Sequence, residues 1–305
     1  MPSHSFNAFC PDWATALLNG FSQIFLQRHP LCGLLCLLAI LISAPTLLGG
    51  ALLGALAGLL TAQRRGYAKT DRQAGLFSYN GILLGLLLSL YLPWSVLLPP
   101  LIIAASGLST IITQQWLKRA RQSGGLPVYT APFVSLGWLL LSLADPLQST
   151  PQAAPALSVS NLVGGALQGL SQVIFLAHPL AGLLIGGGLL LANRRAASWA
   201  LIGSVIGLSV ALLQHQPQEA LLGLAGYNGA LAALALGQHR RSPWQPLLGI
   251  LLTLLLTPGI LALGLAPLTA PFVLACWLLH AAEGLGRMRR DNSPCAPPVN
   301  PPRLR

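Results

Sequence analysis

Charged residues are scarce in this sequence. They make up 8% of its 305 residues, whereas hydrophobic residues make up 54%. Because a soluble globular domain has about 25% charged residues, this composition excludes an ordinary soluble domain. Leu-rich runs of roughly 18 to 22 residues recur along the chain, and a helix of that length crosses a bilayer. The sequence therefore predicts an all-α polytopic membrane protein that lies in a lipid bilayer.

Acidic residues are the rarest charged class, and none falls in the middle of an apolar segment. The six are Asp12, Asp71, Asp145, Glu219, Glu283 and Asp291. Lys and Arg are absent from the middle of these segments as well. Intramembrane charges mark ion paths and proton relays, so their absence disfavours ion coupling. The pattern favours passive passage of an uncharged solute.

Motifs for catalysis, metal binding and phosphate binding are also lacking. The five cysteines have no metal-like pairing, and Cys32 and Cys36, four residues apart in an apolar run, are typical of packing. No nucleophile motif or phosphate loop stands out, so we expect neither an enzyme nor a bound cofactor or metal. The net charge of +11 does not predict a nucleic-acid partner, because its basic residues lie in short loops between apolar segments.

What the sequence does contain is a duplication. "GFSQIFLQRHPLCGLL" from Gly20 matches "GLSQVIFLAHPLAGLL" from Gly169, Tyr-Asn-Gly occurs at 79–81 and 227–229, and Thr-Ala-Pro-Phe occurs at 130–133 and 269–272. The order of the three motifs is the same in both halves, and a Trp follows each Phe by five residues. Conserved order at nearly constant spacing indicates an internal repeat.

Each half contains six apolar segments. In the first half they cover 13–27, 31–49, 50–62, 74–93, 96–117 and 129–144; in the second, 162–176, 179–192, 198–213, 220–237, 246–263 and 268–282. The chain is accordingly divided into an N-terminal segment (1–12), a first repeat (13–144), an extracytoplasmic linker (145–160), a second repeat (161–285) and a cytoplasmic tail (286–305).

Basic clusters decide the expected topology. They lie at 64–72, 118–121, 194–195, 240–241 and 287–290. If the first segment of each half does not cross the bilayer and the other five do, all five clusters lie on one side, as the positive-inside rule requires. This arrangement predicts ten transmembrane helices, two re-entrant or tilted half-helices and cytoplasmic termini. Five crossings per half insert the second repeat upside down, with a central pore between the halves.

Polar residues that recur in the apolar segments are the candidate site residues. Thr130 and Thr269 either cap two helices, since each precedes Ala-Pro-Phe, or direct their hydroxyls to a solute path. Gln23 and Gln172 lie in the two non-crossing segments, where an amide must be satisfied. They either join helices or line a polar path.

Two further recurring pairs have competing interpretations. His29 and His178 each precede Pro, which favours a turn or cap over a ligand or proton-relay role. The two Tyr-Asn-Gly motifs have a structural and a functional interpretation. Either Asn80 and Asn228 tie down backbone, or Tyr79 and Tyr227 present flat faces to a narrow pore.

The three duplicated motifs together resemble those of the urea transporter family. The repeated Gly-x-x-Gln with downstream Pro-Leu-x-Gly, the Tyr-Asn-Gly and the Leu-Thr-Ala-Pro-Phe carry the resemblance, which covers about residues 15–285. It implies a channel-like facilitator in the cell membrane, either a bacterial inner membrane or a plasma membrane. It also implies a homotrimer with one pore in each protomer, where a slot between aromatic side chains admits urea and oxygen atoms accept its N–H groups.

The resemblance also implies a role for each candidate residue. Gln23 and Gln172 would bind urea at the two mouths, and Thr130 and Thr269 would mark the middle. The aromatic slot corresponds to Tyr79, Tyr227, Phe175 and Leu26. Leu26 departs from the pattern, which has Phe there, so that mouth is looser or Phe25 replaces the ring. Gln172 departs as well, since some members have Glu at this position.

Other functions compete with urea passage. A channel for another small neutral solute (a short amide, ammonia or water) fits the same neutral path. A membrane enzyme would use His29 and His178 as acid–base groups, but it lacks acidic partners for them. A structural or sensory protein would give the duplicated Gln and Thr residues no purpose.

Overall fold

The structure, a computed structural model, describes residues 12–123, 125–143, 156–238 and 242–291, and within these ranges it contains helices and loops but no strand. The first half forms α1 (Asp12–Gln23), α2 (Pro30–Ser43), α3 (Pro45–Arg64), α4 (Lys69–Gln73), α5 (Tyr79–Tyr91), α6 (Leu98–Ser123) and α7 (Ala131–Ser142). The second half forms α8 (Val159–Ser171), a 3-10 turn (Gln172–Ile174), α9 (Pro179–Ala192), α10 (Arg194–Leu213), α11 (Pro217–Leu221), α12 (Tyr227–Gly237), α13 (Trp244–Ala262) and α14 (Ala270–Asp291). The predicted all-α class is confirmed.

The order of helices repeats, with α1–α7 matched by α8–α14. Each of the twelve predicted segments overlaps a helix of its own, but three boundaries are wrong. The second segment runs past Ser43, where α2 ends, since α3 already begins at Pro45. The fourth segment of each half starts too early. The helices begin only at Tyr79 and Tyr227, after the short helices α4 and α11 and a turn at Gly75 or Gly223, where φ is +78° or +75°. These glycines adopt a left-handed conformation that ends the preceding short helix. Most of the predicted linker, residues 1–11 and residues 292–305 lie outside the described residues.

Several helices are apolar enough for a membrane protein. Helices α3, α10 and α13 are long and apolar enough to cross a bilayer, and α8 and α9 form a further pair bent by 76° at a short break. Helices α2, α5 and α7 are apolar but shorter. The chain is thus a membrane protein, while the ten crossings remain a prediction. The bend between α8 and α9 is where the sequence places the second non-crossing segment.

Proline and histidine residues mark where α2 and α9 begin. Pro30 and Pro179 occupy the first turns of α2 and α9, where a missing N–H costs nothing. His29 Nδ1 accepts a hydrogen bond from the backbone N–H of Cys32 at 3.3 Å, and His178 Nδ1 accepts one from Leu180 at 3.2 Å. Both histidines cap helices, which confirms the cap interpretation.

The glycines of the repeated motifs bring backbones into direct contact. A Cβ on Gly33 would lie 1.8 Å from the carbonyl oxygen of Leu18, and one on Gly182 would lie 2.0 Å from that of Leu167. Helices α2 and α9 therefore lie against the backbones of α1 and α8. Such close approach between small residues is how helices associate in lipid, where burial of apolar side chains provides little driving force.

The last motif glycines act in the same way. Gly81 and Gly229 end the two Tyr-Asn-Gly motifs. A Cβ on Gly54 would lie 2.0 Å from the carbonyl oxygen of Gly81, and a Cβ on Gly203 would lie 2.4 Å from that of Gly229. This contact packs α5 against α3 and α12 against α10. The two helices that begin at the motif tyrosines are thereby fixed in the centre of each half.

Candidate functional site

The two repeated threonines meet where the halves join. Thr130 Oγ1 lies 2.6 Å from Thr269 Oγ1, and both residues are buried, with 1% and 2% exposure. The Thr130 side chain makes no capping hydrogen bond to α7. The capping interpretation is therefore wrong for Thr130, because its hydroxyl pairs with the equivalent hydroxyl of the other half.

The tryptophan after each Thr-Ala-Pro-Phe explains why the phrase is repeated with this spacing. Trp138 Nε1 donates to the carbonyl oxygen of Ala266 at 2.7 Å, and Trp277 Nε1 donates to that of Pro127 at 2.8 Å. Each indole thus crosses to the loop in front of the other half's helix. Reciprocal contacts between equivalent residues are the signature of two-fold symmetry. The threonine pair joins equivalent residues of the two phrases in the same way.

The two motif tyrosines hold the backbone in front of the threonines. The Tyr79 hydroxyl donates to the carbonyl oxygen of Tyr129, and the Tyr227 hydroxyl donates to that of Leu268 at 2.7 Å. Both accepting residues have left-handed backbones, with φ of 43° and 44°. This conformation is costly for residues with a Cβ and persists only when its surroundings impose it. The tyrosine hydroxyls supply part of that constraint.

The motif asparagines differ between the halves. Asn228 Nδ2 also donates to the Leu268 carbonyl oxygen at 3.1 Å, and its Oδ1 accepts from the Phe272 N–H at 3.3 Å. Asn228 therefore ties down backbone at the start of α14. Asn80 Nδ2 instead donates to Thr113 Oγ1 at 3.2 Å, and its buried Oδ1 has no hydrogen-bond partner. The second half is thus the more completely satisfied of the two.

A cavity of about 570 Å³ is lined by Tyr129, the residue before Thr130, but by neither of the two threonines. Gln23, Leu26 and Tyr129 line it from the first half, and the second half adds mostly polar side chains. These include Asn193, Gln238, Gln245, His280 and Glu283. The Gln23 Oε1 atom is buried without a hydrogen-bond partner. A buried carbonyl oxygen without a partner keeps unused hydrogen-bonding capacity.

Gln172 and Phe175 are not among the residues that line this cavity. Gln172 Nε2 donates to the carbonyl oxygen of Leu222 at 2.9 Å, and the Phe175 ring contacts Phe133 edge-on at 6.2 Å between centroids. The structure therefore brings Gln23 and Leu26 together with Tyr129, and it places Phe175 beside Phe133. Phe25 is only 1% exposed in the core and does not line the cavity, so it does not replace the ring missing at Leu26.

Sequence reasoning missed Tyr129. Its ring packs edge-on against Phe272 at 5.0 Å between centroids, and its hydroxyl lies 3.1 Å from His280 Nε2. The signal was present in the sequence, because the equivalent position in the second copy of the phrase is Leu268. A tyrosine that replaces leucine next to a paired threonine marks a difference between the two halves.

Comparisons with known proteins identify the family of this chain. Residues 14–284 match the family model described as urea transporter. Urea transporter 1 of Ovis aries is 29% identical over 295 residues, which cover 88% of this chain and 75% of the relative. Urea transporter 1 of Mus musculus is 26% identical over 280 residues, which cover 86% and 68%. The family model spans nearly the whole described chain and includes both threonines, so this protein belongs to the urea transporter family.

Proposed function

We propose that this protein is not an enzyme but a passive, channel-like facilitator that lets urea cross the membrane down its gradient. The observation that carries the proposal is the buried hydroxyl pair, Thr130 and Thr269, at the junction of the two halves. The similarity to proteins named urea transporter 1 identifies urea as the solute. Charged residues are absent from the middle of the apolar segments, a pattern that suits a neutral solute.

The chemistry of the pair suits urea. When one threonine hydroxyl donates to the other, the pair still offers more acceptor lone pairs than hydrogens. Urea has the opposite excess, since its two amino groups have more N–H donors than its carbonyl oxygen has acceptor lone pairs. A urea molecule at the pair therefore exchanges its water contacts for protein oxygens. Alkali ions gain no comparable replacement for their hydration shell from so few neutral oxygens, which excludes them.

We assign the remaining candidates to positions along the same path. Gln23 accepts urea N–H groups at the cavity, through its unpaired Oε1. Gln172 occupies the equivalent position at the other mouth. Tyr79 and Tyr227 shape the middle of the slot by fixing the backbone before each threonine. Leu26 and Phe175 form part of the slot walls at the two mouths.

The proposed topology has ten spans in two inverted repeats, 13–144 and 161–285, with both termini in the cytoplasm and the linker 145–160 outside. The repeated helix order and the reciprocal tryptophan contacts support two equivalent halves. Arg28 lines the cavity, and Asn193 and Gln238 lie next to basic clusters in the sequence. The positive-inside rule therefore makes this cavity the cytoplasmic mouth. Within this proposal the protein is a homotrimer in the cell membrane, as the family resemblance implies.

The proposal is tested by stopped-flow light scattering on proteoliposomes, with urea, acetamide and glycerol as solutes. We expect fast, saturable urea entry that is independent of membrane potential and pH gradient. The double variant Gln23→Leu plus Gln172→Leu should lose most of this flux, because both mouths lose their acceptor oxygens. Gln115→Leu is the matched control, since Gln115 is exposed on α6 away from the cavity. Folded wild-type protein that gives no urea flux would refute the proposal.

A further inference from the structure

The two halves carry their aromatic side chains at different positions of the repeat. Leu26 in the first half corresponds to Phe175 in the second, and Tyr129 in the first corresponds to Leu268 in the second. All four residues have left-handed backbones, with φ between 43° and 61°. Each half therefore has one aromatic residue and one leucine at these two positions, but the position that is aromatic in one half is leucine in the other.

The packing follows this exchange. In the second half, Phe175 contacts Phe133, the phenylalanine of the first Thr-Ala-Pro-Phe, at 6.2 Å between centroids and 61° between planes. The symmetry-equivalent phenylalanine is Phe272, and its aromatic partner is Tyr129, at 5.0 Å and 63°. Each of these phenylalanines thus has one edge-on aromatic partner. At the Gln23 mouth, Tyr129 supplies the ring that Leu26 lacks.

Tyr129 also differs from a phenylalanine by its hydroxyl group. This group lies 3.1 Å from His280 Nε2, and the two rings are stacked 6.4 Å apart with 26° between planes. His280 corresponds to Leu141 in the first half, so the partner for a phenol exists on one side of the molecule only. Both residues line the cavity. In either tautomer of His280, the tyrosine oxygen keeps a lone pair for another donor.

We propose that Tyr129 is a specificity-determining residue of the Gln23 mouth, and that His280 is the positioning residue that fixes its hydroxyl. This inference rests on the proposed function. The Tyr129 ring forms the aromatic wall of that mouth, and its oxygen adds an acceptor to the cavity that Gln23 also lines. A planar solute with N–H groups on both sides gains from this wall and this oxygen. A solute such as acetamide, in which a methyl group replaces one amino group, gains less.

The test compares four variants in the same proteoliposome assay. Tyr129→Leu removes the ring and the oxygen. Because one aromatic contact is lost, this variant should lower the urea-to-acetamide permeability ratio by about two- to tenfold. Leu26→Phe plus Tyr129→Leu copies the arrangement of the second half and should restore urea flux to within about twofold of wild type. Tyr129→Phe keeps the ring and should lose less than Tyr129→Leu. Tyr67→Leu is the control, because Tyr67 also packs on a phenylalanine, Phe77, but does not line the cavity.

His280 is tested through its dependence on Tyr129. His280→Gln should lower the permeability ratio in the wild-type background and have no further effect in the Tyr129→Phe background, where the hydroxyl is already absent. A purely structural role for His280 would instead lower flux equally in both backgrounds and leave the ratio unchanged.

The outcomes separate the two proposals. Folded wild-type protein without urea flux would overturn both. Fast wild-type flux together with a Tyr129→Leu ratio equal to that of Tyr67→Leu would overturn this inference alone. The swap variant, Leu26→Phe plus Tyr129→Leu, would overturn it as well if its urea flux is no higher than that of Tyr129→Leu. Size-exclusion chromatography shows whether this variant is folded. If Tyr129→Leu does not fold, the comparison of wild type, Tyr129→Phe and the swap decides, and equal ratios in all three would contradict the assignment.

Discussion

Replacement of the central threonines by valine separates their effect on stability from their effect on transport. Valine has nearly the shape of threonine but has no hydroxyl. In Thr130→Val or Thr269→Val, the remaining hydroxyl stays buried, because both residues are at most 2% exposed, and it loses the partner 2.6 Å away. The double variant leaves no hydroxyl unpaired. The two measurements should therefore rank the variants differently.

The magnitudes follow from the burial of the pair. A buried polar group without a partner costs about 1–3 kcal/mol, whereas the replacement of both partners by apolar groups of the same shape is nearly neutral. Each single variant should thus be less stable than wild type by about 1–3 kcal/mol, and the double variant should recover most of this loss. For transport, the loss of one oxygen contact in a dry constriction raises the barrier by a similar amount, so flux falls roughly 5- to 150-fold.

The assays are urea flux in proteoliposomes and thermal melting of the purified protein. We expect the stability order to place wild type and the double variant above both single variants. The flux order should place wild type above the single variants, with the double variant no faster than they are. Thr253→Val is the control, because Thr253 is also buried but donates to a carbonyl oxygen of its own helix α13. A double variant that carries urea at the wild-type rate would refute a role for the hydroxyls in the path. Single variants as stable as wild type would refute the buried pair itself.

Two further predictions concern the contacts that hold the halves in place. Gly182→Ala should prevent folding, because the added Cβ would lie 2.0 Å from a carbonyl oxygen of α8. Gly187→Ala on the same helix should be tolerated, because its Cβ would have no atom within 4 Å. The yield of monodisperse protein distinguishes the two variants. Trp138→Phe and Trp277→Phe should each lower the free energy of unfolding by about 1 kcal/mol, because each removes one indole hydrogen bond to the other half. Equal melting temperatures for wild type and both phenylalanine variants would argue against these reciprocal bonds.

Much of the fold could be predicted because its signals are local or repeated. Apolar runs indicate helices wherever they occur, and Pro30 and Pro179 mark helix starts through their own covalent geometry. The two copies of Thr-Ala-Pro-Phe indicated equivalent positions without any structure. The starts at Tyr79 and Tyr227 were missed because leucine continues the hydrophobic pattern through the turn, and hydrophobicity alone does not register a left-handed glycine.

The site was predicted less completely, since its parts are distant in sequence. The motif comparison identified Thr130 and Thr269, but only the folded structure shows that the Thr130 hydroxyl pairs with that of Thr269 and does not cap α7. Tyr129 was overlooked because its importance depends on Phe272 and His280, which lie in the other half. Similarly, Phe25 was a reasonable substitute for Leu26 by position, yet it lies in the turn after α1 with its side chain buried in the core.

The sequence by itself determined that this is a helical membrane protein built from two copies of one unit, with neutral polar residues at equivalent places. Composition, periodicity and repetition are properties of the chain that need no folding to be read. Only the tertiary structure decided which side chains meet. The threonine pair and the crossed tryptophans join residues more than a hundred positions apart. Such partners are selected by the way whole helices pack together, and no local propensity specifies them.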